Sequence, residues 1–226
     1  MKHKFLQILL LIILFISTFI GPYFSFLNIK IYSEPVSIDI VKGSSNLEIL
    51  NNIFVNPNTL ETIFIKLFLS LNSSSYQSGE YQVGNQSLIE IHNQITLGNT
   101  ITHEITIVPG MNKYDINEII KDSFLVNDCK FLNCLQSKYE FTEGMILPDT
   151  YYYKKGMQAS IIFRKSSNAL IEYVESIWST KPLSNPLKSA QDSLILASII
   201  EKEAGNEIEK NKIAAVFLKR LDINMR

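Results

Sequence analysis

Neither sign of charge is in excess: 21 Lys and Arg stand against 22 Asp and Glu, a formal net charge of -1. Nucleic-acid binding needs a basic face, so no nucleic-acid partner is expected. Histidine and cysteine are scarce. His3, His92 and His103 are scattered, and Cys129 and Cys134 are the only thiols. No His/Cys cluster has metal-ligand spacing, so neither a metal site nor a cofactor is expected. Apolar residues, in contrast, are plentiful. At 46% hydrophobic the chain can bury a core, which excludes wholesale disorder. Its 226 residues suit a membrane segment plus one or two small domains.

The first apolar run lies at the N-terminus. Lys2, His3 and Lys4 precede FLQILLLIILFISTFIG, Phe5 to Gly21, with 17 uncharged residues. That is the lower limit for a membrane-spanning helix. A cleaved signal peptide also begins with a basic start and a short apolar run. The following TFIGPYFSFLNIKIYSEP offers no clear small-x-small cleavage site, and apolar character persists to Leu27. This favours an uncleaved anchor. In both readings the basic start stays inside and the rest is exported. Cys129 and Cys134 then lie in an oxidising compartment. Their i, i+5 spacing suits neither a C-x-x-C redox pair nor a zinc knuckle, and both a local disulfide and two free thiols remain open.

After a short linker at Tyr32–Pro35, Val36, Ile38 and Ile40 alternate as in a strand. Lys42-Gly43-Ser44-Ser45 supplies a turn and a helix N-cap. Leu47, Leu50, Ile53 and Phe54 recur at helical spacing, and a second helix is predicted over Leu60 to Leu71. GEYQVGNQSLIEIHNQITLG repeats the strand, turn, helix order. TITHEITIVPG is another strand and NKYDINEIIKDSF another helix. Short elements in this order predict an α+β fold rather than a doubly wound parallel sheet. Two such units resemble a LysM-like glycan-binding module.

The second half carries two distinctive segments. EFTEGMILPDTYYYKKG, Glu140 to Gly156, has Glu143-Gly144 at a turn, then Pro148-Asp149-Thr150 and three tyrosines. It reads as a structured loop between helices, or as an aromatic and acidic surface suited to carbohydrate. SIIFRKSSNALIEYVESIW predicts an amphipathic helix or two. A further helix from near Leu187 to Glu203, a stop at Gly205 and a helix from Glu207 to about Leu221 predict an αα-hairpin.

The helix ending in LASIIEKEAGN is apolar on both sides, which predicts burial nearly all round. At about 100° per residue, Ala197, Ser198 and Glu201 share a side with Leu194, whereas Leu196, Ile199, Ile200 and Glu203 share another. The small-residue side favours Glu201 over Glu203 as a functional carboxylate. A helix C-terminus and burial both disfavour the charged form of a carboxylate, and a protonated Glu can serve as a general acid. The competing reading pairs Glu201 and Glu203 with Lys202, Lys210 or Lys212 near the hairpin turn.

LASIIEKEAGNEIEKNKIAAVFLKRLDINMR is similar to the signature of the MltG/YceG-like endolytic murein transglycosylases. EGMILPDTYYY resembles their glutamate-glycine-x-x-x-proline-aspartate-threonine-tyrosine segment. VSIDIVKGSS and TITHEITIVPGMN resemble their LysM-like module. The resemblance covers nearly the whole chain. It implies residues 1–31 as cytoplasmic start, anchor and linker, 32–110 as a LysM-like module, and 111–226 as the mainly helical first part of a YceG-like catalytic domain. It also implies a single-pass protein of the bacterial inner membrane with its body in the periplasm. The implied partners are peptidoglycan glycan strands and cell-wall synthesis enzymes.

The implied activity is cleavage of the bond between N-acetylmuramic acid and N-acetylglucosamine inside the strand, leaving 1,6-anhydro ends and so terminating or trimming nascent strands. The resemblance places the catalytic acid at Glu201, with Glu203 as the second choice. Glu143, Asp149, Thr150, Tyr151 and Ser198 are candidates for lining the site. The sequence departs from the family at Val108-Pro109-Gly110, where proline-glutamate-glycine is usual, and at Ala204, where threonine is common. Family members also continue past the methionine-arginine pair matched by Met225-Arg226. A C-terminal truncation is therefore expected, leaving one wall of the cleft and an uncovered apolar face on the last hairpin. The alternative functions are a non-catalytic, membrane-anchored peptidoglycan-binding protein and a scaffold of cell-wall synthesis.

Overall fold

The computed structural model describes residues 2–225. Arg226 and the side chains of Lys2, His3 and Lys4, on which the expected orientation rests, lie outside the described residues. The architecture is mixed α+β and mostly helical, and the chain divides into two compact units, Met1–Ile101 and Thr102–Arg226.

The first unit begins with helix α1 (Lys2–Phe15), a π-helical turn at Ile16–Ile20, and α2 (Gly21–Asn28). The wide turn has local causes. Pro22 has no N–H to return to the preceding turn, and the Gly21 N–H reaches back five residues to Ile16 O. The Ser17 and Thr18 hydroxyls both donate to Leu14 O, at 2.9 and 2.7 Å, and such back-bonding loosens a helix. Leu10–Asn28 is the one stretch among the described residues long and apolar enough to cross a membrane. Its 19 residues span about 28 Å, close to the roughly 30 Å hydrocarbon thickness.

Then follow β1 (Val36–Ile40), α3 (Asn46–Ile53), α4 (Thr59–Leu71), β2 (Gly79–Val83) and α5 (Leu88–Leu97). β1 and β2 pair antiparallel, Val36 opposite Val83 and Ile40 opposite Gly79. Helix starts are set locally: Ser45 accepts from the Glu48 N–H, and Asn58 with Glu61 and Ser87 with Glu90 form capping boxes. Leu50, Ile65, Tyr81, Val83, Leu88, Ile91 and Ile95 are buried completely. Phe26 and Leu27 join the same core, so the end of the apolar helix is built into this unit. The Tyr32 hydroxyl donates to Ile53 O at 2.7 Å, which ties the expected linker to α3.

The second unit contains β3 (His103–Ile107), α6 (Lys113–Lys121), β4 (Asp149–Tyr153), α7 (Ala159–Ser179), α8 (Ala190–Glu203) and α9 (Glu207–Asp222). β3, which the sequence reading groups with the module at 32–110, pairs antiparallel with β4 in this unit, His103 opposite Tyr153 and Ile107 opposite Asp149. Thus the segment read as a loop between helices contains a strand. Thr150 and the three tyrosines have high strand propensity, and β3 offers them a paired edge. The core gathers Ile107, Ile116, Ile120, Leu132, Met145 and Phe163. Cys129 and Cys134 form a disulfide around the short turn Lys130–Leu132 beside this core, which settles the open pairing.

One expectation fails. Helix α8 is not buried all round: Ala190 is its only buried residue, and Ile195 and Ile199 are 43% and 39% exposed. It packs on α7 and α9 and leaves Ile195 and Ile199 open to solvent. Ile208, Val216 and Leu221 of α9 are exposed too.

Buried His92 generates a test. Its Nδ1 lies 2.9 Å from the Tyr76 hydroxyl, and its ring meets the edge of Phe68. Loss of hydration holds this imidazole below its ordinary value. The unfolded chain therefore binds more protons below about pH 6.5, so stability rises with pH through that window and is lost as pH falls. Thermal melting of the full chain in detergent is expected at lower temperature at about pH 5.5 than at about pH 7.5, and His92→Gln should reduce the difference. An unchanged difference in His92→Gln would assign the effect to other groups.

Candidate active site

Helix α8 presents its chemistry at its C-terminal end. Ser189 and Asp192 form a capping box at the other end: Asp192 Oδ2 accepts from the Ser189 N–H at 2.9 Å, and Ser189 Oγ accepts from the Asp192 N–H at 3.1 Å. Ala190 packs with Leu170 and Val174 of α7, and Leu194 reaches the main core. These contacts fix which side of α8 turns inward. Leu194, Ala197, Ser198 and Glu201 line one wall of a cavity of about 600 Å³, together with Ile195 and Lys202. The small-residue side of the helical wheel is thus a cavity wall.

The opposite side comes from the loop after β3 and the segment before β4. Val108 to Asn112 contribute one stretch, and Phe141, Glu143, Gly144, Ile146 and Pro148 another. The lining is mainly apolar. Lys202 Nζ donates to Gly110 O at 2.8 Å, linking α8 to the loop across 92 residues. Gly110 has φ +81°, and a Cβ there would lie 3.7 Å from Glu201 Cγ and 3.8 Å from Lys202 Nζ. Glycine therefore serves the left-handed turn that brings this carbonyl to Lys202.

Glu201 is the carboxylate of α8 in the cavity wall. It is ion-paired with Lys210 of α9 at 2.7 Å, and Lys210 also meets Glu207 at 2.6 Å. The hydrogen bond to Glu201, then that to Glu207, holds the Lys210 ammonium above its ordinary value. Of the two alternatives open in the sequence, the structure displays the ion pair. Asn206 and Glu209 fix the turn between the helices: the Asn206 side chain accepts from the Glu209 N–H at 3.2 Å, and Glu209 Oε2 accepts from the Gly205 N–H at 3.2 Å.

The remaining candidates divide between the cavity and its surroundings. Ser198 and Glu143 line the cavity with Glu201, whereas Glu203 and Asp149, Thr150 and Tyr151 do not. Ser198 Oγ donates to Ile195 O at 2.8 Å. Glu143 Oε1 accepts from the Lys113 N–H at 3.4 Å. Asp149 Oδ1 accepts from the Thr150 N–H at 2.7 Å, and the Thr150 hydroxyl meets that of Thr106 at 3.0 Å across the β3–β4 pair. The Tyr151 hydroxyl donates to Leu147 O and lies 2.6 Å from Ser166 Oγ. Burial pushes that phenol up. Among the described residues no group of three His, Cys, Asp or Glu could hold a metal ion.

Lys202 and the Val108-Pro109-Gly110 turn were both noted in the sequence, Lys202 as a possible partner of Glu201 or Glu203, but their contact with each other was not foreseen. The turn signal was visible, but a contact spanning 92 residues leaves no local trace.

These geometries sit in a recognisable lineage. The model of the YceG-like family matches residues 38–226, and the chain belongs to that family. A crystal structure described as a YceG-like protein from Listeria monocytogenes is 24% identical, with a TM-score of 0.40; the alignment covers 85% of this chain and 72% of that one. No curated protein matches the chain.

Gly110→Ala is expected to destabilise the second unit by about 1–2 kcal/mol, because a side chain with a Cβ must adopt the left-handed conformation. Denaturant unfolding of the full chain measures this, and no change in the midpoint would show that the turn rearranges without cost.

Proposed function

We propose that this chain is a membrane-anchored peptidoglycan lytic transglycosylase whose general acid is Glu201. The observation that carries the reading is the placement of Glu201 in the wall of an apolar cavity on the small-residue side of α8. Family membership supports the class of reaction.

A lone carboxylic acid suffices for this chemistry. Hydrolytic glycosidases need a second carboxylate to activate water or to act as nucleophile. In the proposed reaction Glu201 gives its proton to the bridging oxygen between N-acetylmuramic acid and N-acetylglucosamine. The C1–O bond breaks, and the muramic acid's own C6 hydroxyl closes on C1. Its proton passes to the Glu201 carboxylate. The product carries a 1,6-anhydro end, the acid is regenerated and no water is consumed. In this cycle Glu201 exchanges its contact with Lys210 for one with the bridging oxygen, and Lys210 retains Glu207 as an alternative partner. In this reading Ser198 and Glu143, which line the same cavity, bond sugar hydroxyls or amides. Glu203, Asp149, Thr150 and Tyr151 remain secondary candidates for substrate contact.

The first unit supports a glycan-holding role. Its β1-α3-α4-β2 order, with the two strands paired antiparallel, fits a LysM-like module. A groove of about 340 Å³ lies between the Lys42-Gly43-Ser44 turn and the Tyr76-Gln77-Ser78 segment. That groove favours the second reading, an anchored peptidoglycan-binding protein without catalysis. In both readings the chain sits in the bacterial inner membrane with its body in the periplasm, beside cell-wall synthesis enzymes.

Digestion of purified peptidoglycan by the full chain in detergent, followed by mass spectrometry of 1,6-anhydro-muramyl ends, decides between them. Glu201→Gln is expected to lower their release by about 10²–10⁴-fold, the usual worth of a positioned acid, with Glu203→Gln within about twofold of the parent. Pelleting with peptidoglycan but no anhydro ends would leave only the binding role.

A further inference from the structure

Helix α4 carries more apolar surface than its own core accepts. Phe64, Ile65 and Phe68 are buried. Leu60, Ile63, Leu67 and Leu71 are also apolar, yet they remain between 43% and 68% exposed. At 100° per residue these four fall within an arc of about 80° that flanks the buried side. Thr59, Thr62, Lys66 and Ser70 occupy the polar arc beyond it. The exposed leucines and isoleucine thus form one continuous stripe, and such a stripe needs a second apolar environment.

The neighbouring apolar helix indicates which environment. Phe64 packs between Tyr23 and Phe26 of α2, with ring centroids 5.5 and 5.6 Å away. Those two aromatics belong to the last turns of the stretch that can cross a membrane. Phe26 and Leu27 lie in the core of this unit, and Ile31 bridges to Gln86, so the exit of the span is fixed to the unit, with Phe64 of α4 against its last turns. Phe24, on the same turn of α2, is 59% exposed. Ile63 and Leu67 therefore stand beside the point where the span leaves the hydrocarbon, where aromatic residues mark a membrane boundary.

We infer that the Leu60, Ile63, Leu67 and Leu71 stripe of α4 lies in the lipid surface, giving the first unit a second contact with the bilayer beside its anchor. The inference rests on the reading of Leu10–Asn28 as a membrane span. It gives the anchor a function beyond tethering: the unit is held flat on the membrane in one orientation, with α4 as an interfacial helix.

The chain has one tryptophan, Trp178. In a Trp178→Phe background, Ile63→Trp and Leu67→Trp place a probe in the stripe of the full chain. Leu97→Trp serves as a control at the end of α5 away from the Ile31–Gln86 bridge. Each variant is reconstituted into nanodiscs of phosphatidylcholine and phosphatidylglycerol, with and without bromine on the acyl chains. Burial of about 5–10 Å into the headgroup boundary should roughly halve emission at positions 63 and 67 in brominated discs and leave position 97 unchanged. Equal emission in both discs at positions 63 and 67 overturns the inference. A blue shift there without bromine-dependent quenching does so too, by assigning the stripe to a protein partner or a second copy. If the full chain fails to float with liposomes of the same lipids, the span reading falls and takes the inference with it. Should either probe disturb folding, as circular dichroism would reveal, Leu60→Trp and Leu71→Trp repeat the measurement on the same stripe.

Discussion

The ion pair between Glu201 and Lys210 is the contact about which the α8–α9 hairpin is arranged beside the cavity. It joins the last turn of α8 to the first turn of α9 and holds the candidate acid at once. Both residues are partly open to water, so the pair contributes little to stability as an exposed ion pair. Its importance is positional. Lys202, one residue further on, donates to Gly110 O. Two adjacent side chains of one helix thus tie it to α9 and to the loop after β3, and both line the cavity.

Much of this architecture follows from short-range rules. Alternation of Val36, Ile38 and Ile40 is a strand because one side meets Tyr81 and its neighbours across the β1–β2 pair. The spacing of Leu50 and Ile53 is helical because both enter the same core. The placement of Glu201 with Ala197 and Ser198 was legible for the same reason: a helical wheel is geometry, and Leu194 fixes its orientation. What the sequence hid was partnership. Asp149–Tyr153 could be known as a strand only with β3 beside it. Apolar residues on both sides of α8 suggested complete burial, but apolarity states a preference and cannot supply the covering surface. Whether Glu201 was paired or protonated was undecidable from the chain, since Lys202, Lys210 and Lys212 were all within reach.

The two units answer different demands. In the first, the apolar helix does not end at a hinge: Phe26 and Leu27 are core residues, and the Tyr32 hydroxyl is bonded to α3. In the second, the Cys129–Cys134 disulfide closes a short loop beside the core. The first unit is thus held by packing against the end of the apolar helix, and the second carries a covalent link beside its core.

The capping boxes at α4, α5, α6 and α8 have a kinetic consequence. Each is complete within four residues, so the first turn of each helix is specified before any distant contact exists. The strand pairs are the reverse. Val36 must find Val83 and His103 must find Tyr153, across loops of roughly 50 residues whose closure costs entropy before any ladder forms. Helices are thus expected to flicker into place early, with strand pairing as the slow search in each unit. Local encoding thus keeps apolar helix faces organised while the distant strand is still arriving.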